Sequence, residues 1–371
     1  MEADPKDAIS DIIDKKIGEV RTDNFDITFG EIVSLHKNKE LVIQPEYQRL
    51  FRWSYEQRSR LIESVLLELP IPQIFLMETG NGVLELIDGL QRVSTVIQFI
   101  EPQELGEGAL TLEGCDLVKE LNNLKYENLP LVMQLKIKRS KVRAVIIKRQ
   151  SKSFLKYEMF KRLNTGGAKL QPQEIRNCSA RMLGNEGTEF YSFLKRMSEN
   201  HDFMTCIETL STSDKEQKGD EELVLRFFAL KNAGAAFKQN VTDWLDSYME
   251  GILVDPAESK MEKYTFNMEE EEEAFNRTFG YIASVMGSGA FVKYRDGKPV
   301  GGLAPAYYES VTMGVYHSFE HIVNKPSEQI RETIISVLQT QEFKANTGPS
   351  SNTRAKFNQR IELVKTALLA I

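Results

Sequence analysis

Cysteine is scarce in this 371-residue chain: Cys115, Cys178 and Cys206 stand far apart, with no C-x-x-C spacing. That excludes a disulfide scaffold and a cysteine-rich zinc site, and it fits a reducing compartment. No run approaches the roughly 18 apolar residues a membrane helix requires. The first fourteen residues are acidic and lack the apolar core of a signal peptide. A surplus of positive charge is also missing. Lys and Arg number 47 against 54 Asp and Glu, a net charge of −7, which excludes a uniformly basic nucleic-acid coat. Internal repeats and low-complexity tracts are absent. The expectation is a cytoplasmic, soluble protein.

What is present is ample core material: 41% of residues are hydrophobic and 27% charged. At about 150 residues per domain, the length suggests two or three domains. The patterning predicts a strand over 25–28, a helix over 29–39 and a strand over 41–43. Ser54 and Gln57 form a capping box that opens a helix running to Leu69, stopped by Pro70 and Pro72. Strands over 73–77 and 83–87 flank a hairpin turn at Asn81-Gly82. A helix is expected over 94–100, a loop region with one short helix over 101–130, and a strand over 142–148. From about residue 153 the pattern turns helical to the end. The fold class expected is α+β, with an α/β unit first and an all-helical domain after it.

The segment carrying most chemistry is Asp88-Gly89-Leu90-Gln91-Arg92, where a strand turns at a glycine and opens a helix. Orphan N–H groups and the dipole at such a helix start favour an anion. Gly89 permits close backbone approach, and Arg92 can grip a phosphate with parallel donors. Asp88 can hold a metal or act as a base, and Gln91 can orient water. The alternative is a tight turn whose Asp caps the helix and whose Arg pairs with a neighbouring carboxylate. A second cluster, Pro45-Glu46-Tyr47-Gln48-Arg49 with Trp53, offers another phosphate contact, or aromatics that merely anchor the next helix; for Trp53 the anchoring role is favoured. A third, 160–167 followed by Glu174, Arg176 and Asn177, reads as a helix stop with Gly166 in the left-handed position. That leaves the polar crowding around Asn164 unexplained.

Together and in this order, Pro45-x-Tyr47-Gln48-Arg49, Asp88-Gly89-Leu90-Gln91-Arg92 and Phe160-x-x-Leu163-Asn164-Thr165-Gly166-Gly167 resemble the N-terminal domain of GmrSD-type, modification-dependent restriction proteins, over roughly residues 25–230. The resemblance implies a ParB/sulfiredoxin-like fold and binding and hydrolysis of a nucleoside triphosphate with Mg²⁺. The family motif reads Asp-Gly-Gln-Gln-Arg; here Leu90 replaces the first Gln, so no role needing an amide there carries over. The resemblance implies catalytic roles for Asp88 (also the metal ligand), Gln91 and Arg92. Nucleotide contacts would come from Gln48, Arg49, Gly89, Ser94, Thr95 and Asn164. The domains expected are an extension over 1–24, the nucleotide-binding unit over 25–150 and the helical domain over 151–371. Many relatives add a His-Asn-His nuclease domain. The four histidines here (His36, His201, His317, His321) do not form that pattern; the partners left open are nucleic acid, through the 134–162 segment, and a separate nuclease subunit.

Residues 134–162 hold eleven Lys and Arg against Glu158 alone. Within this segment Arg139, Lys141, Arg143, Lys148 and Arg149 are the candidates for salt-sensitive nucleic-acid contact; a solvated face offset by acids elsewhere is the alternative. His317 and His321 stand one helical turn apart with no third ligand in sight, so an exposed helix face is favoured over a metal. The five glutamates at 269–273 read as a solvated helix start, and Cys178 as a buried thiol. The function expected is an NTP-binding and hydrolysing component of a prokaryotic restriction or anti-phage system. The alternatives are a ParB-like metal-dependent DNA nuclease and a non-enzymatic DNA- or protein-binding module.

Overall fold

The computed structural model describes residues 21–43, 53–79, 81–149, 151, 159, 171–255, 262–348 and 352–371. The chain divides into two compact units, 1–170 and 171–371, and it is mixed α and β.

The first unit is built on a five-stranded sheet. Its strands are β1 (Thr22–Thr28), β2 (Leu41–Val42), β3 (Ile74–Glu78), β4 (Leu84–Asp88) and β5 (Lys141–Ile147), in the order β1-β5-β3-β4-β2. Pairing is antiparallel for β1/β5 and β3/β4 and parallel for β3/β5 and β2/β4. Helix α1 (Phe29–Lys37) starts where Thr28 Oγ1 accepts the Glu31 N–H at 3.1 Å. Helix α2 (Tyr55–Leu66) opens on the Ser54–Gln57 capping box. Helix α3 (Leu90–Ile100) is buried along its whole length, and α4 (Leu131–Arg139) closes the unit. Ile32, Ile62, Ile74, Val93, Val96, Ile97, Ile137 and Ala144 are fully buried in one core between these helices and the sheet. At about 25 cal/mol per Å² of apolar surface, such burial supplies most of the unit's stability.

Three sequence expectations need correction here. Strands β3 and β4 lie one residue later than expected, so Asp88 ends the strand. Helix α3 begins at Leu90, not 94, because Gly89 is its N-cap and not a residue of a longer turn. Helix α4 was not expected at all. Its first turn exposes Leu131, Val132 and Met133 (67%, 78% and 39%), so it lacks an inward-facing apolar stripe to announce it.

The second unit is helical: α5 (Pro172–Met182), α6 (Asn185–Ser198), α7 (His201–Cys206), α8 (Thr212–Glu216), α9 (Gly219–Ala233), α10 (Val241–Leu253) and α11 (Met268–Met286), followed by α12 (Pro305–Ile322), α13 (Ser327–Gln339), α14 (Gln341–Ala345) and α15 (Arg354–Leu369). It is not all-helical as expected. A hairpin of β6 (Lys293–Arg295) and β7 (Lys298–Val300) turns at Asp296-Gly297, both with positive φ (51° and 74°). Phe203, Phe227, Phe275 and Phe279 form its aromatic centre, their ring pairs 4.4–5.5 Å apart between centroids.

A ladder of charges runs through this helical core. Asp246 accepts from Arg176 at 2.7 Å, Arg176 donates to Glu222 at 3.1 Å, and Glu222 accepts from Arg226 at 2.9 Å. Arg226 then donates to Glu309 at 3.2 Å, and Glu309 also pairs with Arg360. Arg176, Glu309 and Arg360 are 1–2% exposed. Asn177 joins by donating to Glu221 at 2.5 Å. Arg176 and Asn177, two of the polar residues crowded after the 160–167 segment, are thus structural. Glu174 is as well: its carboxylate accepts the Gln171 N–H at 2.8 Å and closes the capping box of α5.

Candidate functional site

Strand β4 delivers Asp88 to the elbow. Gly89 follows at φ +102°, a conformation costly for any residue with a Cβ. A Cβ there would also sit 2.6 Å from Ile74 Cγ2 and 3.3 Å from Arg92 Nη2. Glycine is therefore demanded twice, by the backbone turn and by the close pass of β3 beneath it. Among the described residues no side chain caps α3, so its first turn carries the partial positive charge of a helix start.

Arg92 folds back over this turn. Its Nη2 donates to Asp88 Oδ2 and to the Gln73 carbonyl, both at 3.0 Å, and the residue is 8% exposed. The Asp88 side chain remains one-quarter exposed. The sequence-based alternative of an arginine paired with a nearby carboxylate is thus present, with Asp88 itself as the partner and without the Asp capping the helix. Gln91 is buried, and its Oε1 accepts the Trp53 N–H at 3.1 Å, tying the chain before α2 to the elbow. Trp53 is partly buried against the unit's core, as an anchoring residue would be. Thr95 Oγ1 donates to the Gln91 carbonyl at 2.6 Å inside the helix. Ser94 is fully buried. Its Oγ and Arg92 Nε have no hydrogen-bond partner among the described residues. An unmet buried polar group costs about 1–3 kcal/mol.

Arg92 Nε and Ser94 Oγ are buried and without partners among the described residues, and as donors beside a helix start they suit an anion such as phosphate rather than a bare metal ion. Among the described residues no three His, Cys, Asp or Glu side chains converge on a metal position. A Mg²⁺ ion at Asp88 would therefore complete its shell from phosphate oxygens and water, its usual arrangement. Gln48, Arg49 and Asn164 lie outside the described residues. Sequence reasoning missed Glu85, on β4 three residues before Asp88, whose carboxyl pKa is pushed up by burial. An acid flanked by leucines within a five-residue strand was the available signal.

The basic segment divides into two parts. On β5, Arg143 pairs with Asp26 at 3.1 Å across the sheet, and Lys148 with Asp23 at 2.9 Å. The Asp23 hydrogen bond pushes the Lys148 ammonium pKa up. Arg149 is exposed, and its N–H reaches Glu78 at 3.5 Å. Arg139 and Lys141, at the end of α4 and start of β5, are exposed, and neither makes an ion pair among the described residues. With Lys136, which pairs with Glu68 at 2.9 Å, they line a cavity of about 490 Å³ floored by Phe29, Val65, Leu69 and Ile71. Of the 269–273 glutamates, Glu271 is the exception to a solvated run: it is buried and accepts from Lys231 and Asn232 at 2.9 Å each. Cys178 is buried.

The fold and elbow define an α+β unit in which a strand, a left-handed glycine and a buried helix carry an Asp/Arg pair. Residues 29–180 match the family described as GmrSD restriction endonuclease, N-terminal domain, and this stretch of the chain resembles that family. The match begins at α1 and ends within α5, short of the residue-230 limit expected from the motifs. Comparison with curated proteins gave no match, and neither did comparison with solved structures.

Proposed function

We propose that the first unit is a nucleoside-triphosphate-binding module of a restriction or defence system, with a ParB/sulfiredoxin-like fold. The observation carrying this reading is the Gly89 elbow: a helix start with no side-chain cap beside Arg92, whose Nε and neighbour Ser94 Oγ have no partner among the described residues. The match to a restriction-endonuclease family over residues 29–180 supports the system-level part. In this reading Arg92 and the first N–H groups of α3 hold phosphate oxygens. Asp88 contributes an oxygen to Mg²⁺, which would supply charge neutralisation to the phosphates. Gln91 positions the loop carrying Trp53. Hydrolysis is slow, and the bound nucleotide biases engagement of nucleic acid at Arg139 and Lys141 or of a separate nuclease subunit.

The test is isothermal titration of ATP, GTP, CTP and UTP with and without Mg²⁺, with phosphate release followed in parallel. One nucleotide is expected to bind the parent and to lose at least about tenfold in affinity in Arg92→Ala, as a charge-assisted contact worth about 1.5–3 kcal/mol requires. Asp88→Ala should lose the Mg²⁺ dependence. Absence of binding by every nucleotide, or unchanged binding in both variants, refutes the assignment.

A further inference from the structure

The second unit contains a cavity of about 630 Å³ that no motif in the sequence pointed to, within the size range of small-molecule sites. Helix α10 supplies one wall through Asp243, Trp244, Ser247 and Tyr248, which share a stripe at helical spacing. Gly251 continues that stripe without a side chain. A Cβ there would lie 2.4 Å from the Glu262 carbonyl oxygen and 2.6 Å from the Tyr264 ring. The missing side chain lets the returning segment lie against α10, fixed by the Tyr264 N–H to Gly251 carbonyl bond at 3.0 Å. Glu262 and Tyr264 thereby become the opposite wall.

The polar tips of the two deepest aromatics are already engaged. Trp244 Nε1 donates to the Ala233 carbonyl at 3.0 Å, and Tyr248 Oη accepts from Asn232 at 2.8 Å. What they can offer the cavity is ring surface. Tyr264 packs on Tyr248 at 5.2 Å, and its hydroxyl donates to Glu262 at 3.1 Å. At the rim Asp243 and Glu262 are exposed, and neither makes an ion pair among the described residues, although Asp246 one turn away is committed to Arg176. Among the described residues lining the cavity Lys238 is the one cation against Asp243 and Glu262, so their formal charge is −1. Aromatic faces beneath uncompensated carboxylates attract a cation with an apolar body, through the ring quadrupole and simple Coulomb attraction.

We propose that this cavity is a binding site for an organic cation of the alkylammonium class. It is independent of the nucleotide reading of the first unit. The test uses choline as probe on the full chain carrying Trp53→Phe, which leaves Trp244 as the sole indole reporter. Choline is expected to change Trp244 emission saturably. Dimethylbutanol, its uncharged carbon isostere, should bind about three- to thirtyfold more weakly, the range that a cation–π contact spans. Asp243→Asn and Glu262→Gln lie at exposed positions and should erase the preference for choline while leaving the unfolding transition in place. Tyr264→Leu should weaken choline more than the isostere. Equal binding of the two probes overturns the proposal, as does no saturation by choline into the millimolar range. Unchanged choline affinity in the carboxylate variants does so too.

Discussion

Glu309→Gln is expected to be among the most damaging single-atom changes in the second unit. Glu309 is 1% exposed and is shared by Arg226 and Arg360. The ladder it belongs to contains Arg176, Arg226 and Arg360 against Asp246, Glu222 and Glu309, three charges of each sign. The amide leaves the size nearly unchanged but strands one net positive charge in a dry interior. Removing one partner of a buried ion pair costs about 3–5 kcal/mol, mostly from the charge left behind. For a unit of this size that lowers the midpoint by roughly 6–20 °C. The assay is denaturant and thermal unfolding of the full chain with Trp53→Phe, so that Trp244 fluorescence reports the second unit's own transition. The double variant Glu309→Gln with Arg360→Met restores charge balance and should recover a substantial part of the loss, a coupling that a double-mutant cycle isolates. A loss under about 1 kcal/mol, or full additivity of the two substitutions, refutes the assignment of the ladder as an internally compensated unit.

Other consequences can be checked directly. Gly89→Ala should destabilise the first unit by about 2–5 kcal/mol, summing left-handed strain and overpacking against Ile74, read from urea unfolding monitored at Trp53. Glu85 has its folded pKa raised above the ordinary carboxyl value of 4.5 by burial. Its favourable contribution is therefore present below that value and is lost as pH rises through the folded pKa. Glu85→Gln should accordingly stabilise the first unit at pH 7 and make no difference at pH values below the ordinary one, measured as unfolding free energy against pH. If the first unit holds nucleic acid, Arg139→Glu with Lys141→Glu should flatten the dependence of log affinity on log salt by about two ions. Arg143→Glu, already paired with Asp26, should change it less.

Legibility varied with how locally each feature is encoded. The Ser54–Gln57 box could be read because both halves of the cap lie within four residues and a one-sided apolar stripe follows. Asn81-Gly82 could be read because a tight turn needs a residue tolerant of positive φ, and Gly82 has φ +78°. Helix α3 began four residues before its expected start because its N-cap is Gly89, which has no side chain to announce the first turn. The Asp296-Gly297 dipeptide carries the same turn chemistry as Asn81-Gly82, but strands of three residues are too short for an alternating pattern to emerge. At the candidate site, the glycine elbow and the identities of Asp88, Gln91 and Arg92 were visible as a motif. That Arg92 pairs with a nearby carboxylate was among the readings of the motif; that it also reaches the Gln73 carbonyl was not, because Gln73 lies nineteen residues earlier in the chain. The charge ladder was out of reach too. Its members span Arg176 to Arg360, and only the packing of five helices brings them together.

Strand β1 forms one rim of the sheet and is exposed over its first five residues. Among the described residues nothing pairs with its outer edge, and an open rim of that length invites a second chain to add itself as another strand. Asp23 and Asp26 stand on it, tethered to Lys148 and Arg143 of the neighbouring strand. The same tethers that reduce the basicity of β5 thus place a guard of carboxylates along the open margin. Trading both for valine would leave fold and site intact while turning that margin into a surface for self-association.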